Sequence, residues 1–252
     1  MSNSDDLWIS LHFEHPVTAA APWTAALAAM EARLGATVTR LGERDRPPRR
    51  GARSLAELGA EVAAFGPQDS YRVCFGELEP GRLAVTFDHH RDPHPLILDS
   101  IMVVIPAAAP QRQHALDRLA PLLVDLAGCL RGSSGYVETL GRVMAKGPAV
   151  HPTVRADEEL LGIFWLTWLG GAYVDRFGRD RVLALPWAEP QPGGAVLLRL
   201  GDSPDTVPEG RREEVEEYLG RDSFVDVNRT TRKPRGLHVP TYDQLRAWKP
   251  RA

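Results

Sequence analysis

The stretch Gly162–Leu200 constrains the fold of this chain more than any other part of the sequence. It opens with an aromatic and β-branched run, typical of a strand, which a glycine pair ends. Tyr173, Val174 and Phe177 then share one apolar face, which predicts a short helix. A proline-rich loop leads to a second apolar strand at Ala195–Leu200. None of these residues is an obvious catalyst, so the stretch describes packing.

The first half of the chain predicts a sheet with helices packed on one side. Residues 7–13 alternate as a strand does, and Ser54 with Glu57 has the spacing of a helix-capping box. Glu79–Gly81 has hairpin chemistry between strands 71–78 and 82–89. Further predictions are a helix at 23–34, a strand at 96–105, a helix at 111–130 kinked or split at Pro121, a turn at 132–135 and a strand at 136–140.

These elements indicate an α+β fold with an antiparallel or mixed sheet. We expect a single domain over residues 1–252. Residues 1–145 and 155–228 have a similar coarse order of elements, which predicts two related halves, and residues 229–252 form a basic tail. Helix 209–219 and a final strand at 223–227 complete the second half.

Composition excludes several classes of protein. The formal net charge of -3 gives no general attraction to nucleic acids, and no run of about 18 apolar residues suggests a membrane span. Cys74 and Cys129 are two cysteines in apolar surroundings, which favours buried core groups over a disulfide framework. The N-terminus lacks the pattern of a signal peptide, so we expect a cytoplasmic protein.

The order of motifs in the second half resembles a known family. Gly170–Pro186 and Gly193–Pro204, followed by the acidic helix Glu209–Leu219, are similar to the C-terminal half of bacterial immunity proteins from polymorphic and type VI secretion toxin systems. The resemblance is carried mainly by residues 160–220. It implies a non-enzymatic protein that binds a cognate toxin and occludes its active surface. The matching residues form the fold and do not name the toxin.

Candidate partner-binding residues are those that we expect to be exposed. Strand alternation places Trp165 and Trp168 on opposite faces, and Trp168 is predicted to face outward, as is Trp187 in the proline loop. In the acidic helix, Val215, Tyr218 and Leu219 are predicted to face inward and Glu213, Glu214, Glu216 and Glu217 outward. Glu213 and Glu217 are the chosen contacts for a basic partner, in a field that Arg211 and Arg212 dilute.

The cluster from Asp88 to His94 supports alternative functions. Its members His89, His90, Asp92 and His94 suit a partner-binding loop, but imidazoles and carboxylates also ligate metals. With His12, the residues Asp88, His90 and Asp92 define a metal-dependent enzyme as the alternative. Neighbouring strand residues point to opposite faces and no recognised metal spacing occurs, so we expect no metal, no cofactor and no catalytic residue. A scaffold or regulatory protein is a third reading, and homodimerisation stays open.

Overall fold

The computed structural model describes residues 3–13, 17–42, 54–65, 72–79, 81–87, 99–109, 112–146 and 159–225. Within these ranges the strands are β1 (Leu7–Phe13), β2 (Thr37–Gly42), β3 (Arg72–Glu79), β4 (Gly81–Phe87), β5 (Asp99–Ile105), β6 (Gly132–Thr139), β7 (Leu166–Leu169), β8 (Ala188–Pro190) and β9 (Val196–Arg199). The helices are α1 (Ala20–Leu34), α2 (Leu55–Phe65), α3 (Arg112–Leu130), α4 (Leu140–Ala145), α5 (Gly171–Phe177), α6 (Arg179–Leu183) and α7 (Arg211–Leu219).

One antiparallel sheet joins all of these strands in the order β2-β3-β4-β5-β1-β6-β7-β9-β8. The predicted α+β class is therefore confirmed. Residues from both predicted halves contribute neighbouring strands, because β6 pairs with β7. A relationship between the halves stays a prediction.

The centre of the sheet is β1, which lies between β5 and β6. Its alternation is confirmed, since Leu7, Ile9, Leu11 and Phe13 are all buried on one face. Helices α1 and α3 cover that face, and the rings of Phe13 and Trp23 meet edge to face at 5.7 Å between centroids. This face holds most of the hydrophobic core.

The second face of the sheet is also covered by helices. Glu138 is paired with Trp8 in the strand register, so its side chain points away from α1 and α3. On this second face Glu138 contacts Arg212 of α7. Val143 of α4 packs with Tyr136 and Phe164 in a smaller apolar cluster. Helices thus occupy both faces, and not one face as the sequence indicated, because alternation alone does not reveal what covers the polar face.

Several local predictions match the structure. The Ser54 amide donates to the Glu57 carboxylate at 2.5 Å and the Glu57 amide donates to the Ser54 hydroxyl oxygen at 3.3 Å, which forms the predicted capping box. Strands β3 and β4 form the predicted hairpin. Pro121 lies inside a single helix α3, so the predicted split of that helix is wrong.

Other boundaries in the second half differ from prediction. A further short helix, α6, lies between α5 and the proline loop, the loop contains β8, and β7 begins only at Leu166. Residues 221–223 form a short 3-10 turn, and Phe224 makes an isolated parallel bridge to Leu160; the end of the predicted strand at 223–227 lies outside the described residues. Among the described helices, none combines the length and hydropathy that crossing a bilayer requires.

The predicted turn at residues 132–135 is part of β6. Arg131 takes a positive φ of 54° and reverses the chain within one residue, so the strand begins at Gly132. The glycines instead allow close packing on β1. A Cβ atom on Gly135 would lie 2.8 Å from the Ser10 carbonyl oxygen and 2.9 Å from Leu11 Cδ1.

Gly135→Ala tests this close approach, with Gly128→Ala in α3 as the matched control. We expect the first change to lower the free energy of unfolding by about 1–3 kcal/mol through overpacking. The second adds a Cβ that meets nothing within 4 Å and should raise it by up to about 1 kcal/mol through helix propensity. Urea unfolding of both variants checks the pair. Equal effects of the same sign would contradict the packing account.

Candidate partner-binding site

Helix α7 carries the site, and its rotation decides which charges face outward. Gly210, with φ of 75°, precedes the helix, and Gly220, with φ of 109°, ends it. The buried side consists of Arg212, Val215, Glu216 and Leu219. The exposed side consists of Glu213, Glu214, Glu217 and Tyr218.

Two predicted orientations on this helix are wrong. Glu216 is fully buried, and Tyr218 is 42% exposed. The sequence placed both side chains by hydrophobicity, which favours Tyr over Glu in a core. The structure reverses them because Glu216 finds charged and backbone partners inside, as described below.

A buried ion pair joins α7 to the sheet. Arg212 Nε and Nη2 lie 2.9 and 2.7 Å from Glu138 Oε2 on β6, and both side chains are almost fully buried. Glu138 also accepts hydrogen bonds from the amides of Thr139 and Trp165, each at 3.0 Å. Arg212 Nη2 donates to the Pro204 carbonyl at 3.1 Å. The two charges are thereby neutralised and hydrogen-bonded, as burial requires.

A second buried carboxylate, that of Glu216 on α7, lies one helical turn after Arg212 and is also paired with cations and a backbone amide. Glu216 accepts from Lys146 Nζ at 2.5 Å, from Arg221 Nη1 at 3.1 Å and from the Ile163 amide at 3.0 Å. Together, Glu138 and Glu216 bind alternate amides of the irregular segment before β7. Side-chain oxygens thus replace the strand partner that these amides lack.

Sequence reasoning missed these residues. Glu138 lies in an apolar strand run, and Arg212 and Glu216 share the spacing of Val215 and Leu219. Charged residues at core-facing positions in two elements are a signal of internal pairing. This signal is present in the sequence, but it does not show which residues Glu138, Arg212 and Glu216 pair with.

Arg212→Leu tests the buried pair, because it leaves the Glu138 charge inside without its cation. We expect a loss of about 3–5 kcal/mol in the free energy of unfolding. The control is Arg33→Leu, which removes an equally short pair at 2.8 Å to Asp125 with side chains 44% and 35% exposed. An exposed pair should contribute about 1 kcal/mol or less. Comparable losses in the two variants, measured by chemical denaturation, would refute the anchoring role of Glu138.

The outer side of α7 and the turn before it present exposed carboxylates that we call the acidic row: Glu209 in the turn, and Glu213 and Glu217 on the helix. Glu213 and Glu217 are four residues apart and share one helix face, and within the described part of the chain none of the three forms an ion pair. The neighbouring cations are engaged elsewhere. Arg212 points inward, and Arg211 contacts Glu214 at 3.3 Å. Burial removes one charge of each sign, Arg212 and Glu216, so the outer surface keeps four carboxylates against Arg211 alone and is acidic.

Two aromatic residues border the acidic row. The Arg211 guanidinium lies over the ring of half-buried Trp187, 4.2 Å from its centroid. Arg181 lies 5.2 Å from the Tyr218 ring centroid and donates to the Tyr218 carbonyl, while the Tyr218 hydroxyl donates to the Arg181 carbonyl at 3.3 Å. Both rings are held in place by cation-π contacts. Ordered Trp and Tyr side chains beside charges are typical of interface anchors.

A shallow depression of about 570 Å³ lies at the start of α7, and we call it the α7 depression. Residues of both charge signs line it. The lining comprises Arg142, Val207, Glu209, Gly210, Arg212 and Glu213.

The predicted site residues have different outcomes. Glu213 and Glu217 are exposed and Trp187 is half-buried. Trp168 is only 5% exposed, so its predicted exposure is wrong. It pairs with Gly135, which has no side chain, and its Nε1 donates to the Gly132 carbonyl at 2.9 Å. His89, His90, Asp92 and His94 lie outside the described residues. Partner contact by any of these residues stays a prediction.

The predicted alternative site is described only at His12. Its Nε2 lies 3.4 Å from the Ser10 hydroxyl, and the register places Ser100 and Ser134 beside it on the neighbouring strands. Burial lowers the pKa of His12 to about 4. Asp88, His90 and Asp92 are outside the described ranges, and within those ranges no group of three His, Cys, Asp or Glu residues could hold a metal ion.

The free Cys129 is half-buried, and desolvation raises the pKa of its thiol.

The low pKa of His12 predicts a specific pH dependence of stability. The unfolded chain takes up this proton near pH 6.5 and the folded chain only near pH 4, so acidification favours unfolding between these values. Above pH 6.5, His12 is neutral in both states and does not reduce the stability of the fold. By pH 4, protonation of His12 in the unfolded chain should lower the free energy of unfolding by on the order of 3 kcal/mol. Denaturation curves across this range should show a steeper loss for the wild type than for His12→Gln. Parallel losses would contradict the assignment.

Comparison with known proteins adds one structural likeness. No protein-family model matches the chain, and no curated protein is significantly similar to it. A solved structure of Pseudomonas aeruginosa T6SS protein PA0821 superposes with a TM-score of 0.60 at 12% sequence identity. The match covers 95% of this chain and 80% of that one. At this identity, the likeness shows that the two chains share a fold.

Proposed function

We propose that this protein binds a secreted protein toxin and neutralises it without catalysis, using the outer side of α7 as its contact surface. The fold is shared with the type VI secretion system (T6SS) protein PA0821 of Pseudomonas aeruginosa. The motifs in residues 160–220 resemble immunity proteins of such systems. The proposal places the protein in the cytoplasm of a producing or neighbouring cell.

The observation that carries the proposal is the separation of charge across α7. Five carboxylates and two arginines occur between residues 209 and 217. Arg212 and Glu216 are both paired inside, with Glu138 and with Lys146 and Arg221 respectively, and Arg211 is held on Trp187 and Glu214. Glu209, Glu213 and Glu217 remain exposed, so the surface attracts a basic partner.

The anchoring of α7 favours tight binding over nonspecific attraction. Glu138 and Glu216 hold the helix against β6 and the segment before β7. A surface fixed before binding loses little conformational freedom on association. Trp187 and Tyr218 are likewise held by Arg211 and Arg181. We infer that these two rings anchor the partner and that the acidic row steers its approach.

A basic partner fits the chemistry of many intracellular toxins. Enzymes that act on nucleic acids need positively charged clefts to hold a phosphate backbone. A row of carboxylates placed across such a cleft competes for those charges and covers the reacting centre. Inhibition then requires occlusion alone and no reaction by this chain.

Co-expression tests the proposal. The product of the adjacent reading frame is expressed in a plain host with and without this protein, and surviving colonies are counted. We expect growth arrest by the neighbour alone, rescue by co-expression and a stable complex on size-exclusion chromatography. A harmless neighbour that forms no complex would defeat the proposal. A metal bound to the purified wild type in elemental analysis would instead favour an enzyme.

Glu217→Lys tests the acidic row, with Asp117→Lys as the matched control. Both residues are exposed acids on helices, but Asp117 lies on α3 at the other face of the sheet. We expect Glu217→Lys to weaken binding of the toxin by about tenfold or more, mainly through a slower association rate. The effect should shrink as salt is added. Binding kinetics at two salt concentrations measure it, and an equal effect of Asp117→Lys would refute a specific role for the row.

A further inference from the structure

The α7 depression contains cationic groups that the fold leaves without partners. Arg142 of α4 lines it, and within the described part of the chain this side chain forms no ion pair or hydrogen bond. Glu209 and Glu213 line the same depression but do not pair with Arg142. Because Arg142, Glu209 and Glu213 line one depression without pairing, we infer that charged groups of a bound molecule pair with them.

The guanidinium group of Arg212 is a second hydrogen-bond donor in the lining of the α7 depression. The residue is 6% exposed, and its Nε and Nη2 are taken by Glu138 and Pro204. No partner for Nη1 exists among the described residues, although Arg212 lines the depression. A buried guanidinium with one free amino group, fixed by its other contacts, is a preorganised donor.

The first turn of α7 supplies further donors to the same place. Gly210 also lines the depression and has no side chain with which to cap the helix. The amides of Arg212 and Glu213 belong to the first turn, where N–H groups have no acceptor within the helix. The residues that carry these amides, and both arginines, line the same depression.

We propose that the α7 depression binds a carboxylate group of the protein partner, presented beside a basic residue that pairs with Glu209 or Glu213. This inference rests on the proposed function and specifies the partner's chemistry. A planar carboxylate matches the fork of an arginine. Glu138 already neutralises Arg212, and Glu209 and Glu213 outnumber Arg142, so the lining has no excess positive charge to attract a phosphate dianion or nucleic acid.

Acetate is the first probe, because it tests the site without the toxin. Amide resonances of the full chain are followed by NMR during titration with sodium acetate, using sodium chloride as the salt control. We expect saturable shifts at Gly210–Glu213 in the wild type and their loss in Arg142→Gln. Absent shifts, or unchanged shifts in Arg142→Gln, would overturn the inference. Tighter binding of inorganic phosphate than of acetate would overturn the choice of a carboxylate.

The toxin is the second probe. We expect Arg142→Glu to weaken the complex by at least about tenfold, whereas Arg118→Glu on the exposed side of α3 should leave it unchanged. Tight binding of the wild type with no effect of Arg142→Glu would overturn the inference but keep the proposed function. A wild type that binds no toxin would defeat the proposed function, and the acetate titration would then decide the inference alone.

Discussion

The ion pair between Glu138 and Arg212 is the contact on which the second half of the structure depends. It joins the central strand region to α7 through a buried carboxylate that also holds the Trp165 amide. Such a pair tolerates no loss of one member, because the other charge would remain buried without compensation. Glu216, with Lys146 and Arg221, fixes the same helix a turn later. The rotation of α7 about its axis is therefore set by charge as much as by its apolar contacts.

This rotation explains how an ordinary composition produces a polarised surface. The chain as a whole carries a formal charge of only -3. Inward pairing removes Arg212 and Glu216 from the surface, and stacking on Trp187 fixes Arg211, while Glu209, Glu213 and Glu217 face solvent. The same arrangement leaves Arg142 and one amino group of Arg212 open to the α7 depression. Buried, paired charges and exposed charges are thus adjacent on α7, so the position of one set fixes the position of the other.

Sequence patterns predicted what is local and missed what depends on distant partners. The alternation of β1, the β3–β4 hairpin and the Ser54–Glu57 cap follow from neighbouring residues. Strand alternation predicts Trp168 outward, but alternation only separates the two faces of a strand and does not show which face other elements cover. The space beside Gly135 that Trp168 fills becomes apparent only when β6 and β7 pair. Glu216 was placed outward because its burial requires Lys146, seventy positions away. The rule that charged side chains face solvent holds for Glu213 and Glu217 and fails for Glu216.

Hydrogen exchange in the complex tests the central claim most directly. Amide exchange of this protein is measured alone and with the product of the adjacent reading frame, and the protected segments are mapped. The account predicts that protection concentrates on residues 205–219 and 185–190, which surround the acidic row, the α7 depression and Trp187. Protection confined to α1–α3, on the other face of the sheet, would contradict it.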